Sequence, residues 1–108
     1  MNKTSLNIEE NIEALLSYLL LWVTGLLFLI LEKDNKFVKF HAMQSIITFG
    51  ALTVGLMIFT PIPIIGIIIT TILSITIFVL WIFLMLKAYQ GEKYKLPIIG
   101  DIAEKFAK

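Results

Sequence analysis

The chain has 108 residues, of which 58% are hydrophobic and 16% charged, and a water-soluble domain of that size has too little interior to hide so much apolar surface. A net charge of +1 provides no positive field for nucleic acid, and the lack of cysteine removes disulfides, thiolate metal ligands and cysteine nucleophiles. Composition points to a lipid bilayer as the medium and excludes a nucleic-acid partner.

Residues 14–31 carry no charged side chain. At 1.5 Å per residue this run reaches about 27 Å, one crossing of a hydrocarbon core about 30 Å thick. Ahead of it stand Glu9, Glu10 and Glu13 rather than the positive stretch of a cleavable leader, so this span is expected to stay in the mature chain. Asn7 and Glu10 have capping-box spacing, and Ile8, Ile12, Leu15, Leu16 and Leu19 continue on a helical period.

A second uncharged run covers residues 42–86 and would reach about 68 Å as one helix, two bilayer thicknesses. It must fold back, and Pro61-Ile62-Pro63 with Gly66 is the only helix-disrupting cluster inside it. Three spans are therefore predicted, at 13–32, 37–60 and 66–87. Beyond them Pro97 suits a first helical turn, and Ile99, Ile102, Ala103 and Phe106 share one face, a short amphipathic helix within 96–108 at the inner surface. The expected fold is all-α: a single membrane domain, 1–108, of three transmembrane helices with an amphipathic C-terminal helix.

With three spans, Lys33, Lys36, Lys39, Lys87, Lys93, Lys95, Lys105 and Lys108 share one side and Lys3 alone lies opposite. The positive-inside rule then puts the C-terminus in the cytoplasm and the N-terminus outside.

On the second span His41, Gln44, Thr48, Ala51 and Gly55 form one stripe with Ser45 beside it, and the first offers Tyr18, Trp22, Gly25, Leu29 and Glu32. Thr70, Ser74, Ile77 and Trp81 are the third span's counterparts. Such stripes are either helix-helix seams, close-packed through small residues and hydrogen bonds, or the wall of a polar vestibule. The seam is the expectation.

His41, the one histidine, invites three readings: a hydrogen-bonding strut, a pH sensor, or a metal ligand. The first is preferred because no second His or Cys could complete a metal set. Trp22 falls near mid-span, where its indole N–H needs a partner, so it is expected to pack inside the bundle. Trp81 and Lys87 read as depth anchors. No catalytic motif is present, so an enzyme, a metal site and a cofactor are not expected.

Two runs carry a family likeness. Glu32-Lys33-Asp34-Asn35-Lys36-Phe37-Val38-Lys39-Phe40-His41-Ala42-Met43-Gln44-Ser45 resembles the signature of a group of small uncharacterised prokaryotic membrane proteins, and Gly91-Glu92-Lys93-Tyr94-Lys95-Leu96-Pro97-Ile98-Ile99-Gly100-Asp101-Ile102-Ala103 resembles that group's second signature. Lys39 stands where the group commonly carries Arg. The group is called Tic-like for a distant similarity to the twenty-kilodalton Tic translocon component of chloroplasts. The resemblance implies a multi-pass plasma-membrane protein of a prokaryote with no established activity.

Both signatures fall on one side, so Phe37, Phe40 and residues 96–102, with Pro97 and Ile99, are expected to form an inner-surface cap, with Glu32 or Asp101 near a lysine. The leading functional expectation is a self-associating or complex-forming membrane subunit. An oligomeric channel, carrier or translocon-like subunit is the alternative.

Overall fold

A computed structural model describes residues 3–107 and contains five helices: α1 (Glu10–Leu19), α2 (Trp22–Leu31), α3 (Lys36–Phe59), α4 (Ile65–Tyr89) and α5 (Ile99–Phe106). Asn2 and Lys108, the latter counted above among the cytoplasmic lysines, lie outside the described residues. α3 starts where Asn35 Oδ1 accepts a hydrogen bond from Val38 N at 2.9 Å, the usual N-cap device. α3 and α4 are the two helices long and apolar enough to cross a membrane, and they match the second and third predicted spans closely.

The first predicted span is corrected. Residues 13–32 are not one helix, because Leu21 adopts φ 60° and ψ −132°, a backbone conformation that costs a non-glycine residue and ends the α1 ladder. α2 then runs back beside α1. Asn35 Nδ2 donates to Glu10 Oε2 at 2.8 Å, Ser5 Oγ to Glu32 Oε2 at 2.6 Å, and Asn11 Nδ2 to the Tyr89 carbonyl at 3.0 Å. These bonds bring the start of α1, the end of α2, the start of α3 and the end of α4 to one end of the molecule. The expected placement of the two termini at opposite ends therefore gives way: residues 3–10 and residues 90–107 share an end.

Each arm of this hairpin is about 15 Å long, half a hydrocarbon thickness. Its base carries Glu10, Glu13 and Glu32, and its tip is apolar. All eight lysines of the described residues also lie at the shared end, whereas the α3–α4 turn at 60–64 is Thr, Pro, Ile, Pro, Ile.

Burial follows the same polarity. The main core joins Ala14, Tyr18, Val38, Phe49, Leu84, Ala88 and Leu96, and a smaller one packs Phe40 against Ala103 and Ala107 of α5. The distal halves of α3 and α4 are largely bare, with Met57, Ile58, Ile67, Ile72, Ile75 and Phe78 exposed. Their threonines suit lipid, since Thr70, Thr71 and Thr76 each donate to the carbonyl four residues back.

One turn occurs twice. Pro63-Ile64-Ile65-Gly66 leads into the first two residues of α4 and Pro97-Ile98-Ile99-Gly100 into the first two of α5, with φ 65° at Ile64 and 67° at Ile98. In each, the amide two residues past the proline donates to the proline carbonyl, at 2.7 Å from Ile65 and 2.6 Å from Ile99. Pro97 consequently stands before α5 rather than in its first turn. An added Cβ would strike the Phe59 carbonyl oxygen at Gly66 and the Lys95 backbone at Gly100. Gly100→Ala should therefore lower stability by about 1–3 kcal/mol and Gly66→Ala by a similar amount. Thermal unfolding in detergent checks this, and unchanged melting for either glycine would contradict the packing.

Candidate functional site

A helix that breaks inside an apolar medium leaves amides and carbonyls that water cannot reach, and each costs free energy unless the protein supplies a partner. At the α1–α2 break three side chains supply them. The Trp81 indole N–H, from α4, is shared between the carbonyls of Tyr18 at 3.0 Å and Leu19 at 3.1 Å. Ser45 Oγ, from α3, donates to the Leu21 carbonyl at 2.8 Å, and Leu20 N donates to Thr24 Oγ1 at 3.0 Å. Gly25 lets α2 approach α3, since a Cβ there would lie 2.9 Å from the Ala42 carbonyl oxygen and 3.0 Å from Ser45 Cβ.

Toward the charged end lies a fully buried relay. Tyr18 Oη is 2.7 Å from His41 Nδ1, and His41 Nε2 is 3.0 Å from the Glu92 carbonyl. A carbonyl only accepts, so the imidazole proton is assigned to Nε2 and Nδ1 accepts from the tyrosine hydroxyl. Gln44 Nε2 donates to Tyr18 Oη and to the Tyr94 carbonyl, both at 3.0 Å, and Gln44 Oε1 accepts from Leu96 N at 2.9 Å. Two α3 side chains, His41 and Gln44, thereby pin residues 92–96, and Tyr18 of α1 ties both of them to the first helix.

The hairpin base holds a carboxyl pair, Glu13 and Glu32, both fully buried. Glu32 Oε2 accepts from Ser5 Oγ, Asn35 N at 2.9 Å and Asp34 N at 3.1 Å. Burial opposes its charge, but the Ser5 hydroxyl, the Asn35 amide, Glu13 and the Asp34 amide together hold it down to about 2. Burial pushes Glu13 up to about 7; the Thr4 hydroxyl pulls it down and the Glu32 carboxylate beside it pushes it further up. Glu13 Oε2 and Glu32 Oε1 have no other hydrogen-bond partner, and one proton held between the two carboxyls satisfies both.

The remaining predicted residues fall in different places. Phe37 and Phe40 flank the His41 ring edge to face at 4.6 and 5.1 Å, and Lys93 Nζ sits 5.1 Å from the Phe40 ring centre. Ile99 packs on the main core, while Pro97 and Asp101 are exposed, with Asp101 Oδ1 3.2 Å from Lys95 Nζ. Of the two carboxylates expected near a lysine, Asp101 makes that contact and Glu32 meets hydroxyl and amide donors. Thr48 is buried with its hydroxyl unpartnered, beside a largely apolar opening of about 300 Å³ that Ala51, Leu96 and Pro97 also line. Gly55 faces Leu73 of α4.

Trp22 is corrected: the break rotates α2 relative to α1, and this side chain lies 37% exposed on the hairpin surface instead of inside the bundle. Sequence reasoning missed Glu13, Ser5 and the use of Trp81 as a donor. Glu13 had a signal, a carboxylate at the edge of an apolar run, whereas nothing in Leu19-Leu20-Leu21 marks a break.

Two outcomes follow for stability. Tyr18→Phe strips His41 Nδ1 of its donor and should cost about 1–3 kcal/mol in detergent unfolding, with loss of coupling to His41 in a double-mutant cycle. For the carboxyl pair, the raised Glu13 value makes its contribution greatest below its ordinary 4.5 and lost as pH rises through about 7. Glu32 works oppositely, contributing above its ordinary 4.5 and failing as pH falls through about 2. Stability should thus decline from pH 4.5 to 7, and Glu13→Gln should flatten that slope. A slope unchanged by Glu13→Gln would remove the shared proton.

Comparison with known proteins places this geometry in a family. A UPF0132 membrane protein of Methanocaldococcus jannaschii is 55% identical over 108 residues, covering 100% of this chain and 97% of the relative. A second from the same organism is 50% identical over 94% of this chain and 73% of its own length. One from Archaeoglobus fulgidus is 47% identical over 90% of this chain and 94% of the relative. No solved structure matches the chain. These relatives and the apolar helices make it a prokaryotic membrane protein, and since the MamF/MmsF model, described as the magnetosome magnetite crystal formation protein family, matches residues 9–103, the chain belongs to that family.

Proposed function

We propose that the protein is a structural subunit of the prokaryotic plasma membrane, in which α3 and α4 cross the bilayer, the α1–α2 hairpin enters and leaves from one side, and the exposed apolar faces associate with copies of the chain or a larger complex. The observation that carries this reading is how four buried polar side chains are used: Tyr18, His41, Gln44 and Ser45 direct their hydrogen bonds to one another and to backbone, which holds helices together.

Sidedness follows from charge. The end that gathers all eight described lysines is cytoplasmic by the positive-inside rule, so both termini face the cytoplasm and the 60–64 turn faces out. A transport reading, which the Tic-like signatures would favour, draws on one observation, the Thr48 hydroxyl beside its opening between α3, α4 and residues 96–99. A conduit there would need several copies, because two spans enclose none.

Cysteines introduced singly at Leu6, Lys105 and Ile62 test the topology: an impermeant thiol reagent added outside intact cells should label Ile62→Cys alone. Labelling of Leu6→Cys with Ile62→Cys would restore three spans. Crosslinking in native membranes should yield a defined oligomer or complex, and solute flux through liposomes carrying the purified chain would overturn the structural reading.

A further inference from the structure

The membrane cross-section of this fold is unequal in the two leaflets. The hairpin tip is held at Ser45 and Trp81, about 13 Å below Lys36 and about 12 Å below Tyr89 along their helices, so it stops inside the leaflet next to the charged end. In that leaflet the molecule presents α1, α2, α3 and α4; beyond the tip α3 and α4 continue, with residues 96–99 of the tail beside them at Thr48 and Ala51. With helices about 10–12 Å across, the two extra arms add about 200 Å² of section on one side.

A second element widens the same side. α5 packs Ala103 and Ala107 on Phe40 while Ile98, Ile102 and Phe106 stay exposed, and Leu96, Pro97 and Ile99 lie beside Thr48 and Ala51, so the tail adds its section to the leaflet next to the charged end. Below the tip an apolar notch of about 470 Å³, lined by Leu20, Leu21, Ser74, Ile77 and Phe78, leaves room that lipid tails fill. The shape is rigid because the bonds from Trp81 and Ser45 fasten the tip to both spanning helices.

We infer that the protein is a membrane wedge whose ligand is curvature itself: it prefers bilayers that bulge toward the charged end and, at high density, drives them that way. The physical basis is the mismatch of area: inserting more section into one leaflet stretches it relative to the other, and the strain is relieved where that leaflet is the outer, convex one. With the charged end cytoplasmic, the favoured surface is that of a vesicle or tubule inside the cell. This rests on the re-entrant hairpin of the proposed topology.

The test uses the unmodified chain, reconstituted with no imposed orientation into uncharged phosphatidylcholine vesicles of graded diameter, so that lipid charge does not steer insertion. An impermeant amine reagent counts molecules whose lysine-rich end faces out. That fraction should rise several-fold over the inward fraction as diameter falls, and a fraction independent of diameter, or falling with it, overturns the wedge. The topology is read separately in vesicles of the same lipid carrying the double variant Leu6→Cys, Lys105→Cys, by whether one molecule takes up two labels or one, so a failed wedge and a failed hairpin give different results.

Discussion

The constraint on which the fold depends is that no backbone group inside a bilayer goes without a partner. A continuous first helix would meet it alone, yet this chain breaks at Leu21 and pays in positive φ and freed carbonyls. The break persists because α3 and α4 bring donors to it, the Ser45 hydroxyl and the Trp81 indole, and because Gly25 permits the contact distance that Ser45 needs. Hairpin and spanning helices thus specify each other. The relay above it repeats the principle, since Gln44 uses both N–H groups and its carbonyl oxygen to hold Tyr18 and the 94–96 backbone.

Polarity of the whole molecule follows from that reversal. Once α2 returns to the side it came from, the N-terminal segment, the loop before α3 and the tail converge, and their charges can interact. The solvent-screened pairs Lys93 with Glu104 at 2.6 Å and Lys87 with Glu92 at 3.0 Å, both within the C-terminal part, contribute little. Burial of Phe40 against α5, and of Leu96 in the core, contributes more to holding the tail.

Much of this was legible in residues alone. Apolar run length fixed the medium, Pro61 and Pro63 marked the turn between the spanning helices, and the amphipathic spacing of Ile99, Ile102, Ala103 and Phe106 marked α5. The family likeness pointed correctly to a small membrane protein, and the relatives named above do not show the Tic-like part of it. The hairpin was not legible, because its break is written in Ser45 and Trp81, distant in sequence, and not in any glycine or proline near Leu21. The stripe on α3 was read as one unit and divides by depth: His41, Gln44 and Ser45 are spent on α1 and the tail, whereas Ala51 and Gly55 lie in the two-helix half. The repeated Pro-Ile-Ile-Gly tetrapeptide stood in plain view in the sequence, and its meaning needed the shared γ-turn and the crowding at Gly66 and Gly100.

The charge-free turn between α3 and α4 bears on how the chain enters the membrane during synthesis. Carrying one elementary charge through the membrane potential involves about 2.3 kcal/mol per 100 mV. In the proposed topology the stretch that reaches the far aqueous face is Thr60-Pro61-Ile62-Pro63-Ile64, which carries none. On that topology the membrane potential does no work on the translocated loop, and its crossing draws on the apolar surface of the paired helices.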